Sequence, residues 1–577
     1  MRLPYGGASG SSNKTLPRSF PCKKTDTRAR PASLARHALW ACALACSAAA
    51  LAAPPGLERL TIRITGPSPF AAGCNGVAQT GTPYPNAEVE PFVAANPAQR
   101  LNLVSVWQQD RWSDGGSQGL GTAYSVDGGL HWSRIFVPFT RCAGGSAANG
   151  GDYERGSDPW VSISPNGAAQ QMVLAFNPSA TGSQVNTAML ASRSVDGGRS
   201  WGPIQTLVAN DVHRFNDKNA ITADPTDARF VYAVWDRLSD VAGEGAGPTL
   251  LARSSDNGRS YEPARIIYDP GPNAQTIGNR IEVLPGGMLV NLFTQIDYQS
   301  GDVTLRVIRS SDKGLTWSQP ILVADILALG ASDPQTGAPI RDGAILAQMA
   351  INRRGVIGVT WQDARHSGGR LDGVVFSQST DGGLSWSEPV QINRDPSVQA
   401  FTPSIHARRD GSFGVGYYDL RSNTGDPATL FTDTWLTRTR EGTVWREDRV
   451  SEPFDLSRAP NALGLFLGDY QGLTSIGPVF IPFFAKSGGP DSNRNDIYAH
   501  ISLGHVMEDA ARDAPALDAA VAQDEAALAV HTPQAAAQLA ATQRSALHSG
   551  SWQAYERLMR AHVPQWDARF NRRLQAP

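Results

Sequence analysis

The sequence predicts an all-β fold, and three observations lead to this prediction. The 577 residues are rich in glycine (57), proline (39) and tryptophan (14), while charged residues make up only 18%, a mixture typical of short strands joined by tight turns. A motif of the form S-x-D-x-G-x-x-W recurs along the chain. Its copies lie 56 to 69 residues apart, which matches one four-stranded sheet per repeat and therefore predicts a β-propeller.

Residues 1–53 are predicted to be a signal or targeting segment rather than part of the fold. Basic residues lead up to Arg36, an apolar stretch runs from Ala38 to about Ala53, and Ala50 to Ala52 offers small residues for cleavage. The string ending at Cys46 also resembles a lipoprotein cleavage site, so lipidation there stays open. We expect the mature protein to be secreted or periplasmic.

Charge and hydropathy exclude two classes of partner. The formal net charge of −2 becomes −9 once the segment 1–53, with its net charge of +7, is removed. An acidic mature protein does not suit nucleic acid. No run of about 18 apolar residues follows the first sixty positions, so no membrane span is predicted.

Two cysteines, Cys74 and Cys142, would remain in the mature chain. In an oxidising compartment they are expected to form a disulfide, with two unpaired thiols as the alternative. Neither CxxC nor HExxH spacing occurs, so we predict no metal site and no cofactor.

The repeated motif has the chemistry of a turn between two strands. Its aspartate can accept backbone N–H groups, its glycine permits an unusual backbone, and its aromatic ring can pack into the sheet. A degenerate sixth copy keeps Gly442 and Trp445 but has Arg440 in place of the aspartate. The aspartates of the five full copies are Asp127, Asp196, Asp256, Asp312 and Asp381.

These copies are identified as Asp-box (BNR) repeats, so residues 57–505 resemble the Asp-box proteins of the sialidase/neuraminidase superfamily. The resemblance implies that the boxes lie at the lower face of the propeller, away from the pocket. Ligands would then meet the opposite face, where the loops leading into the first strands and those joining second to third strands converge.

Seven strand pairs precede or follow the boxes, the first beginning at Glu90 and the last at Tyr470. The last unit lacks a box and a fourth strand, and the orphan strand at residues 57–65 is predicted to supply it beside Asp496 to Ile501. We therefore predict a propeller of seven blades over residues 54–505, with six blades as the alternative.

Residues 506–577 have a different composition, rich in Ala, Gln, Glu and Arg with apolar residues at helical spacing. They are predicted to form a small C-terminal α-helical segment. It would serve as a cap on the propeller or as the docking site of a protein partner.

Arginines near the ends of predicted strands are the candidate ligand-binding residues. Converging arginines can hold a carboxylate through paired N–H bonds. The alternative is that each forms an ion pair with its own aspartate and staples neighbouring blades. The four candidates are Arg237, Arg280, Arg365 and Arg421. The tryptophans at the ends of second strands, Trp107, Trp235 and Trp361, are predicted to pack in the core.

The resemblance also implies catalytic residues. Catalytic sialidases use a tyrosine and a glutamate as a nucleophilic pair and an aspartate as acid/base, and we assign these roles to Tyr470, Glu282 and Asp217. The family's Phe/Tyr-Arg-Ile-Pro signature is absent, and the nearest string is Asn279 to Glu282.

Two functional hypotheses follow. The first is an exported glycan-active enzyme, an exo-α-sialidase-like glycoside hydrolase acting on an acidic sugar. The alternative is a non-catalytic propeller that binds glycan or protein at the cell envelope. Three guanidinium groups converging near the axis would favour the enzyme, whereas arginines each paired with a carboxylate would favour the binder.

Overall fold

The structure, a computed structural model, describes residues 59–178, 185–210, 213–239, 241, 244–488 and 494–502. These residues form strands and three short 3₁₀ turns. The turns are Arg141–Ala143, Arg365–Ser367 and Leu456–Arg458.

The strands form seven four-stranded antiparallel units, which we call blades 1 to 7 in chain order. Blades 1 and 2 are joined by one residue pair, Ser117 and Gly156, and a short fifth strand pairs with blade 6. Strand β1 (Arg59–Arg63) comes before them. Blade 1 consists of β2 (Val89–Ala95), β3 (Leu103–Arg111), β4 (Ser117–Ser125) and β5 (Ser133–Phe136). Blade 2 consists of β6 (Arg155–Ile163), β7 (Ala169–Pro178), β8 (Val185–Ser194) and β9 (Gln205–Asn210). Blade 3 consists of β10 (Arg214–Ala223), β11 (Val231–Ser239), β12 (Thr249–Ser254) and β13 (Arg265–Tyr268).

One short strand precedes blade 5 and two follow blade 6. Blade 4 consists of β14 (Ala274–Val283), β15 (Leu289–Asp297), β16 (Val303–Ser310) and β17 (Ile321–Asp325), and β18 (Ile340–Arg341) follows it. Blade 5 consists of β19 (Gln348–Ile351), β20 (Ile357–Asp363), β21 (Gly373–Ser379) and β22 (Val390–Gln391). Blade 6 consists of β23 (Ala400–Ala407), β24 (Phe413–Asp419), β25 (Phe431–Thr439) and β26 (Arg446–Arg449), followed by β27 (Phe454–Asp455) and β28 (Leu465–Phe466). Blade 7 consists of β29 (Gly472–Ile476), β30 (Val479–Ser487), β31 (Asn495–Ser502) and β1.

The ring closes through its first and last strands. Strand β1 pairs antiparallel with β31, with Leu60 opposite Ile501 and Ile62 opposite Ala499, as the orphan strand was predicted to do. The first strand of each blade contacts that of the next, and β29 contacts β2. Closure pairs a sheet edge that would otherwise be exposed.

The predicted fold class is wrong in one part. It included a C-terminal α-helical segment, but the described residues contain strands and 3₁₀ turns and no α-helix. Helical spacing alone is a weak indicator when no partner surface is known for the apolar face. Residues 506–577, on which that prediction fell, lie outside the described residues.

The core lies between neighbouring blades and includes the tryptophans of three second strands. Trp107, Trp235 and Trp361 are completely buried, which confirms the prediction that they pack in the core. Each indole N–H also has an acceptor, for example Gln109 Oε1 at 3.0 Å from Trp107 Nε1. Truncating such a ring to alanine typically costs about 3–5 kcal/mol.

The repeated motifs form the turns between third and fourth strands. In the second copy the Asp196 carboxylate accepts the Ser200 N–H at 2.9 Å, and Gly198 N–H donates to Ser194 Oγ at 3.0 Å. Gly198 needs its φ of +90° for this turn. Each of these turns follows the third strand of its blade. Third strands run in the same direction as first strands, which begin near the axial site described below, so the turns lie at the opposite, lower face.

Cys74 and Cys142 form a disulfide, as predicted. The bond ties the segment between β1 and β2 to the 3₁₀ turn that precedes blade 2. This segment therefore stays against the upper part of blades 1 and 2, near the axial site.

Candidate functional site

The first strands of blades 1, 2 and 3 each contain a β-bulge close to the propeller axis. In the bulges Glu90, Asp158 and Lys218 have φ angles of 54°, 50° and 44°. A left-handed backbone at a residue other than glycine costs on the order of 1–3 kcal/mol and is concentrated at functional sites. Three charged residues held in this way are the first sign of a site.

The bulges bring charged side chains together in an axial cluster, made of Glu90, Asp158, Asp217, Lys218, Arg341 and Asp469. Lys218 Nζ lies 2.6 Å from Asp469 Oδ2 and 3.5 Å from Asp158 Oδ1. Arg341 donates from Nε and Nη2 to the two oxygens of Asp469, at 2.9 and 2.7 Å. Four carboxyl groups therefore meet two cations at the axis.

The carboxyl groups of the axial cluster differ in protonation. Burial, with Asp158 beside them, raises the pKa of Glu90 to about 8 and that of Asp217 to about 7. Burial opposes ionisation of Asp158 too, but the charge of Lys218 and hydrogen bonds from Glu90 and Asp217 hold its pKa below the usual value. Asp158 is therefore the ionised member of the group, and its carboxylate accepts hydrogen bonds from the protonated carboxyl groups of Glu90 and Asp217.

Asp469 is the second anion of the cluster. Burial works against its ionisation, but Lys218 and Arg341 hold the pKa of Asp469 far below its usual value. The cluster thus holds carboxyl groups with raised pKa values beside carboxyl groups with lowered ones, and such an arrangement suits acid/base chemistry.

The loops that contain β18 and β28 pair with each other, and Arg341 of β18 contacts the rest of the cluster. Strand β18 pairs in parallel with β28, so that Arg341 lies opposite Phe466. The guanidinium groups of Arg341 and Arg111 lie 4.5 and 4.8 Å from the centre of the Phe466 ring. Arg111 is almost fully buried, whereas about a quarter of the Arg341 side chain is exposed. Solvent therefore reaches the cluster on the Arg341 side.

The four predicted ligand-binding arginines lie on four different blades, and each has a carboxylate of its own. Arg365 Nε lies 2.8 Å from Asp363, and Arg421 donates to Asp419 and Glu447, both at 2.6 Å. The structure therefore does not bring these two side chains to one point.

The other two arginines are similarly paired. Arg280 Nη2 lies 2.9 Å from Glu282, and Arg237 Nη2 lies 3.6 Å from Glu244. The Arg280 guanidinium also lies over the ring of Trp160, 5.3 Å from its centre. The predicted residue Glu282 is thus held by Arg280.

Tyr470 follows Asp469 in the chain and is buried beside the axial cluster. Its hydroxyl donates to the Pro159 carbonyl at 3.0 Å, and its ring packs against Trp160 at 5.1 Å between centres. Burial, with Glu90 and Asp158 nearby, raises the pKa of Tyr470 well above its usual value. Of the predicted catalytic residues, only Asp217 belongs to the axial cluster.

Two residues of the axial cluster, Glu90 and Arg341, were not predicted as site residues from the sequence. A signal for the first was present, because Glu90 and Asp158 both precede a proline and a bulky aromatic residue. The shared pattern marks equivalent bulges in blades 1 and 2. Arg341 lies in a long loop outside the repeats, and no pattern in the sequence pointed to it.

The part of the chain that the structure describes shows neither a metal-binding cluster nor a membrane-spanning helix. In the described ranges, no group of three or more His, Cys, Asp or Glu is placed to hold a metal ion. The same part of the chain has no helix long and apolar enough to cross a membrane.

Comparisons with known proteins give one match in sequence. No protein-family model matches the chain. Over 326 residues it is 26% identical to a sialidase of Micromonospora viridifaciens. The match covers 52% of this chain and 46% of the relative, so the chain spans about half the length of the curated relative it matches.

Solved structures give weaker likenesses. A Dyadobacter fermentans protein of unknown function is 13% identical with a TM-score of 0.41, covering 78% of this chain and 99% of that one. The Hadza microbial sialidase Hz136 is 16% identical with a TM-score of 0.40, covering 77% and 92%. Because both TM-scores are below 0.5, these likenesses say nothing about the reaction. The chain is sialidase-like in sequence over about half of its length.

Proposed function

We propose that the chain is an exported, sialidase-like Asp-box propeller that hydrolyses a glycosidic bond next to an acidic sugar. The axial cluster carries the proposal, because three strained bulges bring Glu90, Asp158 and Lys218 together near the propeller axis. The sequence match to a sialidase supports the same class. The proposed location is the cell exterior or the periplasm.

Asp217 is the proposed acid/base residue. It is only partly buried, and its pKa of about 7 lets it both hold and release a proton near neutral pH. Its hydrogen bond to the Asp158 carboxylate holds the carboxyl group in place. Asp217 would protonate the leaving sugar oxygen as the glycosidic C–O bond breaks, and a water molecule would add to the anomeric carbon and release a proton that returns Asp217 to its acid form.

The partly exposed cations Lys218 and Arg341 are proposed to attract the acidic group of the sugar. Both are held in place by Asp469, so little side-chain freedom is lost when a ligand binds. This role replaces that of Arg237, Arg280, Arg365 and Arg421, which lie on four different blades and each contact a different carboxylate.

The proposal is tested by screening the purified protein against aryl α-sialosides and uronic-acid polysaccharides. We expect hydrolysis of at least one acidic substrate and none of the matched neutral sugars. Asp217→Asn should lose this hydrolysis. Its control is Asp302→Asn, which makes the same change in net charge at an exposed carboxylate in a turn on blade 4. Absence of turnover on every acidic substrate would contradict the proposal.

One observation favours a second candidate, a propeller that binds glycan or protein without turnover. Each of the four predicted arginines is ion-paired, which is the arrangement expected of structural staples. Calorimetry with the same saccharides separates the candidates, because the binder would show heat of binding and no product. A protein partner docking on residues 506–577 belongs to this second candidate.

A further inference from the structure

The lower face of blade 6 carries a cavity of about 280 Å³ with a concentration of arginines, which we call the lower basic pocket. Arg408, Arg438, Arg440 and Arg446 line it, together with Glu441 and the ring of Phe480. It surrounds the turn of the degenerate sixth motif. The axial cluster draws its residues from the first strands of blades 1 to 3, from β18 and from the loop before β29, so the two sites are separate.

The turn at this pocket folds without the aspartate found in the other copies. Counted back from Gly442, Arg438 stands at the serine position and Arg440 at the aspartate position. The neighbouring Thr439 supplies the hydroxyl group, and its Oγ1 accepts the Gly442 N–H at 3.0 Å. The five full copies place an anionic side chain in this position of the turn, whereas here Arg440 occupies it. The local charge therefore changes from −1 to +1 at a turn whose fold does not depend on that residue.

Two of the arginines are fixed inside the pocket. Arg408 and Arg438 are almost fully buried. Arg408 is held by Asp410 and by the Pro478 carbonyl, and its guanidinium lies 4.9 Å from the centre of the Phe480 ring. Arg438 Nη2 lies 3.3 Å from Asp448. Such fixed guanidinium groups lose little freedom when they bind an anion.

The other two arginines, Arg440 and Arg446, are exposed at the mouth. Arg354 of blade 5 adds a fifth, since its Nη2 donates to the Arg440 carbonyl at 3.1 Å. The lining itself holds four arginines and one carboxylate, that of Glu441. The pocket therefore keeps a net positive charge on a protein whose overall formal charge is negative.

We propose that the lower basic pocket binds the acidic groups of a polyanionic saccharide chain, carrying carboxylates or sulfate esters. Planar guanidinium groups bind both oxyanions through paired N–H bonds, and the Phe480 ring offers an apolar wall to a sugar ring. Such a site would hold the protein on an acidic polymer while the axial face stays open. It stands independently of the catalytic proposal.

The test is calorimetry of the full mature chain with an oligogalacturonate, a sulfated dextran oligosaccharide and neutral dextran. We expect binding of at least one anionic probe, weakening with salt, and no binding of neutral dextran. Arg440→Asp restores the motif's acidic residue and should fold normally, yet it should weaken binding at least about tenfold. Arg199→Asp makes the same charge change in the blade 2 turn and should leave the affinity within about twofold.

Three results would overturn the proposal. These are no binding of either anionic probe, equal losses in Arg440→Asp and Arg199→Asp, or binding only to vesicles of anionic phospholipid. Arg440→Asp should hydrolyse the substrate of the axial site at the wild-type rate, so failure at the axial site and failure at the lower pocket are distinguishable. Unchanged melting temperatures establish that the variants are folded.

Discussion

Replacement of Lys218 by methionine tests whether the axial cluster is a coupled charge system. The substitution keeps most of the side-chain volume but removes the ammonium group from Asp469, 2.6 Å away, and from Asp158, 3.5 Å away. Both carboxylates are nearly inaccessible to solvent. Asp469 keeps its two hydrogen bonds from Arg341, so the cost should arise mainly at Asp158. Removing one member of a buried ion pair typically costs about 3–5 kcal/mol.

The corresponding change in melting temperature can be estimated from size. The described residues imply an unfolding entropy of roughly 0.9 kcal/mol per kelvin, from about 2 cal/mol/K per residue. Lys218→Met should therefore lower the melting temperature by about 3–5 °C at pH 7. Urea denaturation and calorimetry measure the loss.

The loss should also depend on pH in a defined direction. The pKa values of Asp158 and Asp469 are lowered in the folded protein, so their contribution to stability is present above their unfolded pKa and fades as the pH falls through the folded values. Without Lys218 those folded pKa values rise. The deficit of the variant should therefore shrink as the pH is lowered toward 4.

A matched control is Lys313→Met, which removes a lysine from the buried Asp224 at 2.8 Å on the lower face. Asp224 keeps hydrogen bonds from Thr226 and Tyr232, so the loss should be smaller. A deficit for Lys218→Met below about 1 kcal/mol, or one that does not change with pH, would refute the coupling.

Three further predictions concern the scaffold and the cluster. Asp196→Ala should lower the free energy of unfolding by about 1–3 kcal/mol and leave saccharide affinity per folded molecule unchanged; lost affinity at an unchanged melting temperature would mean that the ligand-binding face is misplaced. Arg421→Lys loses two ion pairs and its stacking on Trp435, so it should lower the melting temperature while a saccharide's Kd stays within about twofold, and a large change in Kd without loss of stability would contradict the stapling role. Glu90 binds its proton up to a pKa of about 8 in the folded protein, so wild-type stability should fall as the pH rises from about 4.5 to 8. Glu90→Gln should flatten that slope in urea titrations, and equal slopes would contradict the raised pKa.

Much of the scaffold followed from the sequence because its turn chemistry is local. The recurring aspartate, glycine and aromatic residue mark one turn per sheet, and the unpaired strand at the start of the chain could be matched to the unit that lacked one. Residue patterning indicated the buried tryptophans for the same reason. The C-terminal helical prediction had only apolar spacing behind it, and the described residues contain no α-helix.

The site was less predictable because its members come from different parts of the chain. Asp217 was identified beside a strand start, but its partners Asp158 and Asp469 are 59 residues before and 252 residues after it. Ion pairing of Arg365 or Arg421 with a carboxylate two residues earlier is a local event that the sequence already allowed. Choosing between a staple and a ligand clamp needed the three-dimensional positions of all four arginines.

The measurement that bears most directly on the proposed function compares wild-type protein with Asp217→Asn on the saccharide that the substrate screen selects. If Asp217 is the acid/base residue, kcat should fall at least about 100-fold in the variant. Kd for the substrate should change little, and the limb of the wild-type pH–rate profile near pH 7 should disappear. Turnover that is unchanged in Asp217→Asn, with the same pH profile as the wild type, would contradict the axial cluster as the site of catalysis.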